Sequence, residues 1–305
     1  SEGKPLTARQ IPGRGTAYAI LAGVYAWIAG YGQEPEYYAL GIEAAGKVIG
    51  DPNYRLVASP EEVCTEVLPG NSEEGIFEVC YDDSRGEYKD FGSYIGGTVE
   101  KWPVLKGTTP ASRRKFFIRN ETVERLYTPE DLRLQAYFAD FFRMKEEPVS
   151  VTQGAAYIRM WREVEYYSGG IYDGTPRTLL ANDILIRLPD ILLLRAEMRA
   201  ATGDREGAVA DLDVVRRRAG VAGYSEAEGD LRRAIQLERD RELLFQTGVR
   251  YFDYMRNHTY NLLKGGFRDL TEADVAAGAL FLPVSLDAMN NNPKVKQTAY
   301  WVGKF

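Results

Sequence analysis

Few side chains in this sequence can do imidazole or thiolate chemistry. The 305-residue chain holds one histidine, His258, and two cysteines, Cys64 and Cys80. A structural zinc site needs about four Cys or His ligands, and the H-E-x-x-H helix of zinc peptidases needs two histidines. Neither pattern exists here, so no metal and no cofactor is expected. A Ser-His-Asp relay would have to pass through His258, which stands in YMRNHTYN, and no G-x-S-x-G elbow occurs. The plain reading of His258 is a polar residue just past a helix end. GSYIGG lacks both the G-K-[ST] ending and the following helix that a phosphate-cradling loop requires.

Carboxylates are plentiful, at 44 Asp plus Glu against 38 Lys plus Arg. A glycosidase needs two of them held roughly 5 to 10 Å apart across a cleft, and nothing in the sequence singles out such a pair. Asp82 and Asp83 are adjacent and would point apart on an extended strand. Glu238 and Glu242 lie four apart on one helix, with Arg239 and Arg241 between them and Arg216, Arg218 and Arg250 elsewhere to pair with. Charges set into apolar helices are more often paired interior ions than catalysts, because an unpaired buried charge is costly. The net charge of −6 leaves no cationic surplus for a phosphate backbone, so nucleic acid is not an expected partner.

The chemistry that remains is aromatic. The chain has 20 Tyr, 12 Phe and 4 Trp. Many of the Tyr and Trp fall in irregular stretches: Tyr81, Tyr88, Tyr94 and Trp102, then Trp161, Tyr166, Tyr167 and Tyr172. Sugars present flat C–H faces to rings and hydroxyls to Asp, Asn, Gln or Arg, so rings beside Asp82, Asp83, Arg113 and Asp173 suit a sugar site. Trp102 is the best single candidate, set between GSYIGGT and Pro103 in a context that holds a ring on a surface loop. If YIRMWREVEY is a strand, Trp161 shares a face with Arg159 and Glu163, opposite Ile158, Met160 and Val164, and is a second candidate weighed against packing. Trp27 and Trp301 read as packing residues.

The elements that must position these rings are mainly helical. An apolar helix ends near Gly30, turns around Gly32 and Pro35, and returns through YYALGIEAAGKVIG with Tyr38, Ile42, Ala45 and Ile49 on one face. A second hairpin runs from Pro189 to Ala219, with Leu192, Leu193, Ala196 and Ala200 outbound, Gly203-Asp204 at the turn, and Ala208, Leu212, Val215 and Ala219 on the return stripe. Both have the small residues and compact turns of tetratricopeptide-like units. More than a hundred residues separate them, so the segment between must lie elsewhere or cover them. That segment is rich in Gly, Tyr and acids, with IFEVCY its one strand-like run, and NDILIRLPD is expected to return the chain to helix. Ala17 to Gly30 is shorter than the roughly 20 residues of a bilayer span, and no signal peptide precedes it. The expectation is either a cytosolic protein or one whose export signal has been removed.

Three blocks together resemble the SusD/RagB family of outer-membrane nutrient-binding lipoproteins. They are NDILIRLPDILLLRAEMRAATGDREGAVADLDVVRRRAG, LERDRELLFQTGVRYFDYMR and the tail LPVSLDAMNNNPKVKQTAYW. GRGTAYAILAGVYAW, GIFEVCY and TPEDLRLQAYF are similar to family segments in the same order. Departures fall at scaffold positions: Met198-Arg199, Gln246-Thr247-Gly248 and Asn257-His258. The resemblance covers nearly the whole chain but only the later portion of a family member, so the lipid-bearing N-terminal Cys is expected in a missing part.

What the resemblance implies is a mainly α, single SusD-like domain fragment over 1–305, with tetratricopeptide-like hairpins at 13–50 and 182–220 and a loop-rich, ligand-facing segment at 56–180. It implies non-catalytic binding of an oligosaccharide or other nutrient at the cell outer membrane, surface-exposed or periplasm-facing, and delivery to a SusC-like TonB-dependent transporter. A peptide- or protein-binding hairpin scaffold is the alternative, and a glycoside hydrolase a weaker one. In such an exported context Cys64 and Cys80 are expected to form a disulfide, a closure worth about 3 kcal/mol for a loop of that length. The missing earlier helices are expected to leave Leu21, Val24 and Ile28 on an exposed apolar patch.

Overall fold

The computed structural model describes residues 9–81, 94–99, 102, 104–109, 116–246, 249–263 and 265–304. Helix α1 (Arg14–Gly30) and helix α2 (Tyr37–Ile49) form the first hairpin. Ala19, Ala22, Ala26 and Ala29 recur at three- and four-residue spacing on the buried face of α1 and meet Ala44, Ala45 and Val48 of α2. Rows of alanine let two helix backbones approach closely, which is why this pair packs without large side chains between its axes. Segment 16–49 thus behaves as its periodicity predicts.

A strand, β1 (Gly75–Val79), follows, then the short ladder of β2 (Ile118–Arg119) with β3 (Ala155–Ala156). Between β2 and β3 lie helix α3 (Asn120–Leu126) and helix α4 (Leu132–Tyr137). Strands β4 (Val164–Tyr166) and β5 (Pro176–Leu179) make an antiparallel hairpin. Strand β6 (Asp183–Arg187) then pairs antiparallel with β1, Val79 opposite Asp183 and Gly75 opposite Arg187. NDILIRLPD thus returns the chain to helix at its end, as expected, with a strand before it that the sequence reading did not include. Ile184 and Arg187 are buried and Leu185 is exposed, so strand geometry holds until Leu188, where Pro189 falls in the first turn of the next helix.

The second hairpin is helix α5 (Leu188–Thr202) and helix α6 (Arg205–Arg218). Gly203, at φ 85°, terminates α5 in the left-handed conformation a side chain resists, and Asp204 accepts from the Gly207 amide at 3.0 Å to start α6. Helix α7 (Leu231–Glu242) and helix α8 (Val249–Arg256) complete the set. Helix α2 packs directly on α5, joining Ala44, Ala45 and Val48 to Ile191, Leu194 and Met198 in one core. The opposite side of α5, with Leu192, Leu193 and Ala196, packs on α6 and α7. Two hairpins far apart in sequence are therefore stacked neighbours, with α5 buried on both sides.

The intervening segment carries a core of its own. Val63, Cys64, Val67, Val123, Leu134, Tyr137, Phe138, Ile158, Met160 and Trp161 are all in it. It is less irregular than its composition predicts, because its many aromatic residues bury against short helices.

Buried ions join this core to the helical stack. Arg133 of α4 binds Asp131 at 2.8 Å and Glu238 at 2.7 Å, and Arg187 of β6 binds Glu74 at 2.7 Å and Glu242 at 2.5 Å. Arg216 reaches Glu238 at 3.3 Å and Arg218 pairs with Glu242. The expectation of paired interior ions holds for Glu238 and Glu242. Arg239 binds Asp190 and Asp253 instead, and Arg250 binds Asp240.

Cys64 is buried and Cys80 half-buried, and both are free thiols, which corrects the expected disulfide. Cys64 sits in the core of the insert with its thiol on the Ala136 carbonyl, while the Cys80 thiol bonds the neighbouring Tyr81 carbonyl. Sequence separation allowed closure, but the two side chains are committed to different surroundings. Leu21 and Val24 are exposed and Ile28 is half-buried, so two of the three residues expected on an apolar patch lie at the surface. No helix among the described residues is long and apolar enough to cross a membrane.

Candidate functional site

The β4–β5 hairpin is built to hold its tip out. Val164 pairs with Leu179 and Glu165 with Thr178, and a register irregularity at Tyr166 precedes the turn. Leu179 anchors the base in the core, and an Arg177 to Glu165 ion pair at 3.2 Å crosses the ladder. Beyond it the chain closes on itself: the Gly174 amide donates to the Tyr167 carbonyl at 2.9 Å, Thr175 donates to the Tyr172 carbonyl at 2.9 Å, and the Gly169 amide donates to Asp173 Oδ1 at 2.6 Å.

The tip presents two rings. Tyr167 and Tyr172 stand 5.7 Å apart, centroid to centroid, with planes 40° apart. Tyr172 is 59% exposed and Ile171 between them 90%. Rings this open stabilise the fold little, and they are held by the turn's hydrogen bonds and not by burial.

A second loop leans on the same hairpin. Gly107 has φ 68°, and a side chain there would stand 2.1 Å from the Gly174 carbonyl oxygen. Only glycine permits both the conformation and the approach. Leu105 packs on the core of the insert, and Thr108 Oγ1 donates to the Leu105 carbonyl at 2.7 Å. Trp102, half-buried, lies in the turn just before this anchored stretch. Gly107 thus sits against Gly174 of the hairpin, five residues after Trp102.

Other candidates fare differently. Trp161 is 3% exposed in the core of the insert, which corrects its reading as a ligand-facing ring. Strand geometry does not persist through 159–163; the chain bends at Met160, so Met160 and Trp161 both turn inward and two-residue alternation fails. Tyr81 is half-buried and donates its hydroxyl to Asp183 Oδ2 at 2.6 Å, beside the β1–β6 pair. Asp82, Asp83 and Arg113 lie outside the described residues, as does the side chain of Tyr94, whose backbone begins a short helix, Tyr94–Thr98. The position of Gly107 against Gly174 had no sequence signal, since two glycines 67 residues apart look like any other two.

His258 lies just past α8 with φ 53°, its ring stacked 5.9 Å from Tyr31 and Nε2 3.1 Å from the Gly30 carbonyl, a packing role at the end of α1. Among the described residues no group of three or more His, Cys, Asp or Glu side chains converges as a metal site.

Solved structures share this fold. A SusD homolog from Bacteroides thetaiotaomicron is 21% identical, with a TM-score of 0.74 over 97% of this chain and 61% of that one. A SusD superfamily protein from Bacteroides fragilis is 16% identical, with a TM-score of 0.68 over 95% of this chain and 65% of that one. Surface glycan-binding protein A from Bacteroides thetaiotaomicron, in complex with laminarihexaose, is 20% identical, with a TM-score of 0.64 over 92% of this chain and 64% of that one. The chain spans less than two thirds of the length of each of these three. No curated protein sequence matches it. The SusD family model matches residues 73–301, well over half of the sequence and inclusive of β1, most of the insert, both rings of the hairpin tip and helices α5 to α8, and so the chain belongs to the SusD family.

Proposed function

We propose that the chain captures an oligosaccharide without changing it chemically, on the loop-rich face formed by the Tyr167–Tyr172 hairpin and the Trp102 loop. One observation carries the reading: two exposed tyrosine rings, 5.7 Å apart, on a turn pinned by its own hydrogen bonds. Rings already held in place lose little freedom when a sugar stacks on them. Their 40° tilt suits two consecutive sugar units turned relative to each other, since one flat ring cannot lie against both planes. Asp173 beside them supplies a carboxylate for sugar hydroxyls. The site is shallow and wet, so affinity is modest and release is easy, as delivery requires.

Structural neighbours described as surface glycan-binding proteins, one holding laminarihexaose, support the reading. Membership of the SusD family supports placing the protein at the bacterial outer membrane, surface-exposed or periplasm-facing and held by an N-terminal lipid, where it passes its ligand to a TonB-dependent, SusC-like transporter. No reaction is assigned to it. Its buried carboxylates Glu74, Glu238 and Glu242 are bound to arginines and serve packing.

A second reading, a helical scaffold for a protein partner, draws on the row of Ile20, Leu21 and Val24 exposed along α1. Rings and row lie on different elements, so both surfaces can serve one capture-and-delivery protein. A glycan array on the full-length protein, followed by calorimetric titration of the best binder, tests the proposal. Tyr172→Ala is expected to weaken binding roughly tenfold with unchanged melting. Undiminished binding by a Tyr167→Ala/Tyr172→Ala double variant overturns it.

A further inference from the structure

A separate cavity of about 670 Å³ opens between α3 and the α7–α8 pair, within the range of about 300–1,000 Å³ typical of small-molecule sites. Its charge is one-sided. Among the described residues six arginines line it, Arg119, Arg125, Arg233, Arg239, Arg250 and Arg268, against a single carboxylate, Asp240. Arg239 is satisfied by Asp190 and Asp253, each at 2.6 Å, and Arg250 takes Asp240 at 2.9 Å. The other four have no ion-pair partner among the described residues. Arg233 and Arg250 both stand over the Tyr254 ring, at 5.8 and 5.0 Å, so like charges are gathered in one place in a chain whose net charge is −6. Asp240 balances Arg250 there, while Arg233 donates to the neutral Gln236 Oε1 at 2.8 Å and keeps its charge uncompensated among the described residues.

A buried donor points to the same conclusion. Gln246 lines the cavity and is 6% exposed. Its Oε1 accepts from Arg187 Nε at 2.7 Å, and because guanidinium only donates, the amide orientation follows from chemistry. That leaves Nε2, which is buried and has no hydrogen-bond partner among the described residues. A buried N–H without an acceptor is costly, and a cavity lined by the same residue is where an acceptor can be supplied. Phe117 and Leu262, both about half exposed, add apolar surface to the lining for the C–H face of a sugar ring.

We infer that this cavity binds an acidic sugar, a glycan unit whose carboxylate or sulfate group is held by the unpaired arginines and the Gln246 amide. Guanidinium matches both groups in paired, planar hydrogen bonds, and neutral sugars gain nothing from it. The site is independent of the tyrosine hairpin, so either can fail without the other.

The test titrates the full-length protein with oligogalacturonides, hyaluronan fragments and chondroitin sulfate fragments, with neutral galacto- and cello-oligosaccharides of equal length, and with sodium sulfate alone. At least one acidic series is expected to bind about tenfold tighter than its neutral counterpart and to weaken as salt rises. Arg125→Gln/Arg268→Gln, at two exposed positions, is expected to remove that preference. Equal binding of acidic and neutral series, a preference that survives the arginine double variant, or full competition by sulfate alone would each overturn the inference, the last by identifying a site for inorganic anions only.

Discussion

Arg187 and Glu242 meet at 2.5 Å, fully buried, where strand β6 touches the end of helix α7. Arg187 also donates to Glu74, and Arg133 and Arg218 converge on the same Glu242 carboxylate. One acid thus ties together α4, β6, α6 and α7. Burial by itself would raise its pKa, but the guanidiniums of Arg218, Arg187 and Arg133 outweigh that and hold it at about 2, below its ordinary 4.5.

Removing that acid while keeping its shape leaves three buried cations short of a partner. Glu242→Gln is expected to destabilise the protein by about 3 to 5 kcal/mol, read as a fall in the urea midpoint at unchanged slope. The pH dependence has a definite sign. A carboxylate whose folded pKa is depressed contributes stability above its unfolded value and loses it as pH falls toward the folded one. Wild-type stability should therefore decline as pH drops from 4.5 toward about 2, and Glu242→Gln should flatten part of that decline.

The cysteines make a simple chemical prediction. Burial pushes the Cys64 thiol up to about 12, so it carries almost no thiolate at neutral pH, and it is enclosed. Titration with a thiol-specific disulfide reagent is expected to find one reactive group in the native protein, Cys80, and two in denaturant. Finding none before reduction would restore the disulfide.

Two tryptophans separate binding from stability. Trp161→Ala should cost about 3 to 5 kcal/mol of stability, the range for a buried Trp, with glycan affinity unchanged wherever the variant folds. Trp102→Ala should lower glycan affinity by roughly 5- to 150-fold and move the melting temperature little, because its ring is half-buried on a loop. Calorimetry and a thermal melt on both variants decide the assignment, and a large drop in melting temperature for Trp102→Ala would make it a packing residue.

The exposed row on α1 should behave as surface. Leu21→Ser/Val24→Ser is expected to shift stability by only about 0.5 kcal/mol per site, as surface substitutions do, and to reduce binding of a hydrophobic dye. A loss of several kcal/mol would mean that the row is packed in solution.

The sequence by itself determined the helical hairpins, since alanine rows at helical spacing and a glycine after the last turn of α5 are local signals with local causes. It also determined that Glu238 and Glu242 would be paired ions, because charge inside an apolar pattern has few other outcomes. Tertiary structure alone decided which residues meet across long separations. The stacking of α2 on α5, the choice of Arg133 and Arg187 as partners for the α7 acids, and the approach of Gly107 to Gly174 join segments whose local patterns carry no record of each other. Trp161 shows the same limit at a single residue: alternation predicts its face only while the strand persists, and the bend at Met160 that ends the strand is set by the core it turns toward. Exposure of Tyr172 and enclosure of Trp161 are properties of the packed chain, because burial depends on what the rest of the molecule places against a ring and not on the ring's neighbours in sequence.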